Sequence, residues 1–253
     1  MTPFAHPTST LKARLRNGEA VGCHWLQLGS PMLAELAAEG NPDAIVLDMQ
    51  HGVWDRVSLN EAVGAIAGRA PVICRVADDS LFSINSALDA GCHGVIVPLI
   101  DTAEQCAAAV SAAHYPPIGR RSAGGPRTGV DFTAYRTATD AHLLVAVMIE
   151  TQAGLDACEA IAATPGLDMI FIGPADLSLA LNVAQSSAPF EAALKRILAA
   201  GRAAGVSIGL YTGSAAQART RAAEGFQFTV AVNDMAVARS GAAAGWSAFR
   251  GQG

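Results

Sequence analysis

Two stretches of the sequence, VAVMIETQAG at residues 145–154 and DMIFIGPADLS at residues 168–178, share one pattern. In each, an apolar run of strand length ends abruptly at polar or turn residues, with Glu150 closing the first run and a Gly-Pro turn and Asp176 following the second. A continuous apolar run is typical of a strand that is buried on both faces in an α/β protein. The pattern therefore predicts two adjacent buried strands with a carboxylate just beyond the end of each.

Six further apolar runs complete a regular alternation with helical patterns. The eight predicted strands lie within AVGCHWLQL, DAIVLD, PVICRV, GVIVPL, LLVAVMIE, DMIFIG, GVSIGLY and FQFTVAV. Helices are predicted at residues 32–39, 57–68, 80–90, 103–113, 153–163, 190–204, 215–224 and 236–249, with a short leading helix at residues 11–16. Eight such units in about 250 residues are typical of a closed (β/α)₈ barrel, the TIM-barrel fold, here a single domain over residues 1–253. An open, doubly wound sheet is the alternative.

The composition is that of a globular protein with no affinity for polyanions. Hydrophobic residues make up 51% of the chain and charged residues 15%, which excludes a disordered protein. The net charge is −5, and no basic cluster is longer than Arg120-Arg121, so neither nucleic acid nor an anionic membrane is an expected partner.

The cysteines and the N-terminus indicate an intracellular protein. The five cysteines are odd in number and show no C-x-x-C spacing, which favours reduced thiols that serve in packing. The first 17 residues contain no apolar stretch of signal-peptide length, and no run is long enough to span a membrane. We therefore expect a cytoplasmic location.

Residues 115–141 interrupt the alternation between the fourth and fifth strands. This segment is rich in Pro, Gly and Arg and shows no strand or helix pattern of its own. Because structureless segments of that length inside compact domains are usually functional, we predict a lid or a subunit-contact loop here.

Glu150 and Asp176 are the first candidates for chemistry, because catalytic groups of such barrels lie at the C-terminal ends of the strands. Two carboxylates on adjacent strands can hold one hard divalent cation and leave its other positions open for substrate oxygens. In the competing interpretation, Glu150 pairs with an arginine and Asp176 caps a short helix.

His51 and Arg75 follow strands two and three. Histidine exchanges protons near neutral pH, and Asp48, three residues before His51, can orient it as a general base. The alternative is a surface histidine in a loop. Arg75 ends an apolar strand, where an unpaired guanidinium is costly, so it requires an anionic partner in the protein or in a ligand. The only lysines, Lys12 and Lys195, fall on helices, which leaves no candidate for a Schiff base.

The order and spacing of several motifs resemble those of a known family. LDMQHG, ICRV, ALDAGCHGVIVPLI, YPPIGRRS, VMIET and FIGPADLS, between about Gly22 and Val232, are similar to the metal-dependent (class II) pyruvate aldolases. That family includes 4-hydroxy-2-oxoheptanedioate aldolase and 2-dehydro-3-deoxyglucarate aldolase. Its members cleave 4-hydroxy-2-oxo acids to pyruvate, or hydroxypyruvate, and an aldehyde through an enolate.

The resemblance implies a role for each candidate. Glu150 and Asp176 would bind the divalent metal, for which Mg²⁺, Mn²⁺ and Co²⁺ are all suitable. Arg75 would contact the keto or enolate oxygen, and His51 would be the base. Further residues would orient the base or bind the 2-oxo acid: Asp48 and Asp89 for the base, with Gly173, Pro174 and Ala175 for the substrate carboxylate. The family also implies a homotrimer or homohexamer assembled through the C-terminal helix, residues 234–253.

Two positions depart from the family pattern. Gln50 stands where the family usually has glutamate, and Met148 stands where it usually has glutamine. These departures leave the donor, the aldehyde and the rate open. Three alternatives remain at this stage: an acyl-CoA lyase of the citrate lyase beta or malyl-CoA lyase type, an enolate-forming decarboxylase or hydroxypyruvate-using variant, and a non-catalytic binding barrel.

Overall fold

Parallel strands close into a barrel whose neighbour order follows the chain from β1 to β8 and returns to β1. The computed structural model describes residues 8–125, 127–128 and 131–251, with side chains from Leu11 onward. The strands are β1 (Val21–Leu26), β2 (Ala44–Asp48), β3 (Val72–Arg75), β4 (Gly94–Val97), β5 (Leu144–Ile149), β6 (Met169–Ile172), β7 (Ser207–Leu210) and β8 (Phe228–Asn233). Each strand coincides with one of the predicted runs, so the predicted (β/α)₈ barrel is confirmed.

Helices surround the barrel. They are α1 (Thr8–Arg16), α2 (Pro31–Glu39), α3 (Arg56–Ile66), α4 (Leu81–Asp89), α5 (Ala103–Ala113), α6 (Phe132–His142), α7 (Gln152–Asp156), α8 (Cys158–Ala162), α9 (Pro174–Ala180), α10 (Ala188–Ala204), α11 (Ala215–Glu224) and α12 (Asp234–Phe249). Side-chain caps mark many helix starts; Thr102, for example, accepts from the backbone N–H of Gln105 at α5. Within the described residues no helix is both long and apolar enough to cross a membrane.

The core has two layers. Inside the barrel, large side chains fill the space, and the rings of Trp25 and Phe171 stack at a centroid distance of 5.3 Å. Outside it, alternate strand residues pack against the helices, and small side chains such as Ala34, Ala87 and Ala109 allow close approach. The alternation explains the continuous apolar runs, because both faces of each strand are buried.

The segment at residues 115–141 differs from the prediction in two respects. It contains α6, which begins after Asp131, whose carboxylate accepts from the backbone N–H of Ala134. It also follows the C-terminal end of α5, and therefore lies where the strands begin, opposite the end at which they finish. A lid over the strand ends is thus wrong, whereas a subunit contact stays a prediction. Residues 126, 129 and 130 of this segment lie outside the described residues.

The helix predicted at residues 153–163 is two short helices, α7 and α8. Ala157 separates them with φ −95° and ψ 5°, and its N–H contacts the carbonyls of Ala153 and Leu155. The hydrophobic periodicity of the sequence continues across Ala157, so the sequence pattern did not indicate that the helix is interrupted there.

Candidate active site

Asp48 and Arg75 form a buried ion pair at the end of the barrel where the strands finish, which we call the mouth. The β2–β3 register places the two residues directly opposite each other. Arg75 Nε donates to Asp48 Oδ1 at 2.7 Å, and its Nη2 donates to Oδ2. The anionic partner that the sequence required for Arg75 is therefore Asp48. Arg75 Nη1 donates to no described residue, which leaves that nitrogen for a ligand.

The carboxylate of Asp48 is fully buried and saturated with donors. The indole of Trp25 donates to Oδ2 at 3.2 Å and the amide of Gln27 at 3.0 Å. Burial alone would raise the pKa of Asp48, but the hydrogen bond and charge of Arg75 outweigh it and lower that pKa below its usual value. Asp48 is therefore an ionised anchor for Arg75 at neutral pH.

His51 lies in the loop that follows β2, and its side chain is exposed. Its backbone N–H donates to Asp48 Oδ1 at 3.2 Å, whereas the imidazole has no hydrogen bond to any described residue. The Asp48 carboxylate therefore contacts the backbone of His51 and not its imidazole, since both of its oxygens accept from other donors, and the role of His51 as the base stays a prediction. The loop is held in place by the carboxylate, and the imidazole is left to face solvent or substrate.

Glu150 follows β5 and is 2% exposed. Its Oε1 accepts from the backbone N–H of Leu99 at 2.9 Å, and its Oε2 is buried without a hydrogen-bond partner. Leu99 has φ 55°, an uncommon left-handed conformation for leucine that turns its N–H toward the carboxylate. Burial raises the pKa of Glu150 and the nearby Asp176 raises it further, while the Leu99 N–H opposes both. An ionised Glu150 is thus under-satisfied in the protein alone.

Gly173 leaves open the space in front of Glu150. A Cβ at this position would lie 2.5 Å from Glu150 Oε2 and 3.0 Å from the Met148 Cε. Asp176 is in the first turn of α9 and exposed, and the N-cap of that helix is Gly173. In the described residues no arginine is within salt-bridge distance of Glu150. The competing interpretation, in which Glu150 pairs with an arginine and Asp176 is a helix cap, is therefore not supported.

These features fit a divalent cation. Glu150 and Asp176 supply hard oxygen ligands, the unpartnered Oε2 needs a positive partner, and the missing side chain of Gly173 leaves room for one. Among the described residues there is no group of three or more His, Cys, Asp or Glu that could hold a metal. A site of two carboxylates would leave most of the coordination to substrate and water.

Three further polar side chains lie at the mouth. Gln27, Tyr211 and Asn233 follow or end strands β1, β7 and β8, and they form one hydrogen-bonded chain. Asn233 Nδ2 donates to Gln27 Oε1 at 3.1 Å and to the Tyr211 hydroxyl at 3.0 Å. The only sequence signal was their position at strand ends.

Asp89 is not brought to the mouth. It is the last residue of α4 and therefore lies at the opposite end of the barrel, where its carboxylate accepts from Arg121 Nη2 at 3.0 Å. The guanidinium of Arg121 lies over the rings of Tyr115 and Tyr135. Within one chain, Asp89 cannot orient His51.

Gln50 and Met148, the two residues that differ from the family pattern, lie in different parts of the structure. Gln50 is half-buried in the loop before His51, and its side-chain oxygen is buried without a partner. Met148 points into the barrel and is 1% exposed. The backbone N–H of Gln50 donates to Asp48 Oδ1 at 3.1 Å, a contact that does not depend on the side chain.

Comparison with known proteins gives consistent matches over most of the chain. The family model described as HpcH/HpaI aldolase/citrate lyase matches residues 22–240. A 4-hydroxy-2-oxovalerate aldolase of Novosphingobium aromaticivorans is 35% identical over 211 residues, covering 79% of this chain and 80% of that protein. A hydroxypyruvate/pyruvate aldolase of Paraburkholderia phytofirmans is 34% identical over 249 residues, covering 93% and 94%.

A solved structure also matches. It is the crystal structure of an HpcH/HpaI aldolase/citrate lyase family protein from Burkholderia cenocepacia, which is 31% identical and superposes with a TM-score of 0.89. The match covers 96% of this chain and 99% of that one. The sequence matches and the structural match therefore point to the same group of proteins.

Proposed function

The chain belongs to the HpcH/HpaI aldolase/citrate lyase family, and we propose that it is a divalent-metal-dependent aldolase that cleaves 4-hydroxy-2-oxo acids to pyruvate or hydroxypyruvate and an aldehyde. Relatives named as aldolases at 33–35% identity favour this function over an acyl-CoA lyase or a non-catalytic barrel. The observation that carries the proposal is the buried, unpartnered Oε2 of Glu150 beside Asp176 and the open space of Gly173.

Each residue at the mouth has a defined task in this proposal. Glu150 and Asp176 hold the cation, whether Mg²⁺, Mn²⁺ or Co²⁺, which when bound supplies positive charge that stabilises an enolate. Arg75, oriented by Asp48, directs its free Nη1 to the keto oxygen of the 2-oxo acid and stabilises the negative charge that develops there during cleavage. The backbone N–H groups at Ala175 and Asp176 have no carbonyl four residues earlier in α9 to bind, so they are available to the substrate carboxylate beside Gly173 and Pro174.

His51 is the base in the proposed reaction. Its exposed imidazole accepts the proton of the C4 hydroxyl, either directly or through water, as the C3–C4 bond breaks. In the reverse direction the same group returns that proton to the new hydroxyl. Because Asp48 holds the backbone of His51 and not its ring, the imidazole can move between these positions.

A direct test is hydrogen–deuterium exchange at the methyl group of pyruvate, followed by NMR in D₂O with the purified protein. We expect exchange to disappear after chelation and to return on addition of Mg²⁺ or Mn²⁺. No aldehyde is needed, so the test is independent of acceptor specificity. The absence of both exchange and 4-hydroxy-2-oxo acid cleavage with any of the three metals would contradict the proposal.

We further propose that the protein is a homotrimer or homohexamer that assembles through residues 234–253. In α12 only Asp234 is buried among the described residues, whereas Trp246 and Phe249 are 59% and 81% exposed. An apolar groove between α2 and α12, lined by Leu33, Leu36 and Val237 among others, is also open to solvent. Large apolar surfaces of this kind are typical of subunit interfaces.

The assembly can be tested by charge insertion. The double substitution Trp246→Glu and Phe249→Glu is expected to convert the oligomer to monomers, because carboxylates are excluded from an apolar interface. Size-exclusion chromatography with light scattering measures the mass, and Thr220→Glu on the exposed face of α11 is the matched control. An unchanged oligomer in the double variant would show that α12 is not the interface.

A further inference from the structure

The hydrogen-bonded chain from Asp48 through Gln27 and Asn233 to Tyr211 has one possible polarity. The Asp48 carboxylate accepts only, so the atom of Gln27 that contacts it at 3.0 Å is the amide nitrogen. Asn233 Oδ1 accepts from the backbone N–H of Ala236 at the start of α12. Its nitrogen therefore faces the mouth and donates to both Gln27 Oε1 and the Tyr211 oxygen.

This polarity leaves Tyr211 with an uncommitted proton. Its oxygen is the acceptor in the bond from Asn233, and its O–H donates to no group in the described part of the chain. Burial raises the pKa of the Tyr211 phenol, although the charge of Arg75 opposes the change, so the phenol keeps its proton at neutral pH. A half-buried, fixed donor at the mouth can donate to an acceptor from outside the protein, such as a substrate oxygen.

Tyr211 stands between the 2-oxo acid site and a second space. Its ring packs edge-on against Trp25 at 5.3 Å, on the barrel-interior side. On its other side, Tyr211, Pro174 and Ala175 line a cavity of about 290 Å³, which we call the side cavity. Pro174 and Ala175 belong to the turn that we assign to the substrate carboxylate, so the side cavity adjoins the 2-oxo acid but is separate from the carboxylates of Glu150 and Asp176.

The side cavity has a lining of apolar and uncharged polar side chains, and none of its lining residues carries a free charge. Phe190, Leu194 and Leu210 form an apolar wall, and Gln185 and Gln217 are uncharged polar residues of the lining. Its one charged lining residue, Arg221, is neutralised by ion pairs with Glu191 on the neighbouring helix and Glu224 on its own. Such a cavity suits a chain of a few carbon atoms without a carboxylate.

We propose that Tyr211 binds the oxygen of the acceptor aldehyde and that the side cavity receives the rest of that aldehyde, which is uncharged and carries an apolar chain. This inference rests on the proposed aldolase function and names its second substrate. In the addition direction, C3 of the enolate bonds to the aldehyde carbon, and the π pair of the C=O bond becomes a lone pair on the oxygen. Protonated His51 supplies the proton to that oxygen, while Tyr211 donates a hydrogen bond and keeps its own proton.

Tyr211→Phe tests the contact, because it removes one hydroxyl and leaves the ring in place. We expect pyruvate methyl exchange in the absence of aldehyde to stay within about twofold of the unsubstituted protein, and kcat for cleavage of a 4-hydroxy-2-oxo acid to fall by roughly tenfold to a hundredfold. Equal losses in exchange and cleavage would mean that Tyr211 contacts the 2-oxo acid and not the aldehyde. Unchanged cleavage would mean that the Tyr211 hydroxyl takes no part in the reaction. Either result overturns the inference. If the unsubstituted protein catalyses neither reaction, the proposed function itself fails and the inference with it.

Gln185→Trp tests the cavity, because Gln185 is exposed at its edge and a larger side chain there does not disturb the core. We compare addition of pyruvate to acetaldehyde, hexanal and the carboxylated succinic semialdehyde. The unsubstituted protein is expected to have a kcat/KM at least about tenfold higher for hexanal than for the semialdehyde, and the variant is expected to lose activity on hexanal by roughly tenfold while keeping acetaldehyde. Ser186→Trp, the adjacent exposed residue that does not line the cavity, is the matched control. Preference for the semialdehyde, or an equal loss for hexanal and acetaldehyde in the Gln185 variant, would contradict the assigned aldehyde class.

Discussion

The substitution Glu150→Gln is expected to abolish metal-dependent turnover while leaving the fold intact. Glutamine has the shape of glutamate and retains an oxygen for the Leu99 N–H, but it does not supply the negative charge at the buried Oε2 position. Because the cation stabilises the developing enolate by several kcal/mol, kcat/KM should fall on the order of a thousandfold or more. Asp176→Asn should act in the same way, with weaker binding of Mn²⁺ measured by calorimetry.

The metal-free protein provides the structural control for this prediction. Ionised Glu150 is buried beside Asp176 without a cationic partner, so removing its charge should leave the melting temperature of the metal-free protein unchanged or higher. Glu159→Gln, which removes an exposed carboxylate from the outer helix α8, should change neither metal affinity nor turnover. Full activity in both the Glu150 and the Asp176 variant would show that the metal site has been assigned to the wrong residues.

The barrel could be predicted because the information for it is local. Each strand is a short apolar run bounded by turn residues, and burial on both faces makes the run continuous, as in Leu144–Ile149. The exception is α6, which was assigned to a loop because its pattern is amphipathic over a short length and its start at Asp131 follows a stretch rich in glycine. An N-cap aspartate of this kind was the one available signal.

The site was only partly predictable, because its residues meet through the geometry of the closed barrel. The strand ends identified Asp48, Arg75, Glu150 and Asp176 as polar groups near one another, and the register of β2 and β3 then pairs the first two. The contact between Leu99 and Glu150 depends on a left-handed backbone angle at a leucine, which no sequence pattern indicates.

Other contacts at the mouth depend on strands far apart in sequence. Asn233 reaches both Gln27 and Tyr211 only because β8 closes onto β1, a pairing between the two ends of the barrel sequence. The orientation of His51 has a similar origin, since the donors that occupy Asp48 come from β1 and β3. Position at a strand end predicted which residues face the mouth but not which atoms they engage.

The substitution Arg75→Met is expected to combine the second-largest loss of activity with a large loss of stability. It removes the Nη1 donor that we assign to the keto oxygen, which should lower kcat/KM by roughly a hundredfold to a thousandfold. It also leaves the fully buried carboxylate of Asp48 without its ionic partner, and breaking a buried pair on one side typically costs about 3–5 kcal/mol. Urea unfolding and pyruvate release from a 4-hydroxy-2-oxo acid measure the two effects.

A double variant separates the two effects of Arg75. With Asp48→Asn added to Arg75→Met, neither charge of the buried pair remains, so part of the lost stability should return while activity stays low. The recovery is partial because the new amide NH2 group faces the donors of Trp25 and Gln27. The exposed pair of Arg196 with Glu159 is the reference, because Arg196→Met should cost no more than about 1 kcal/mol. Activity that recovers together with stability in the double variant would mean that Arg75 supports only the fold. Low activity in a partly restored fold would support a contact between its guanidinium and the substrate, since the amide oxygen introduced by Asp48→Asn still accepts from the backbone N–H of His51 and holds its loop.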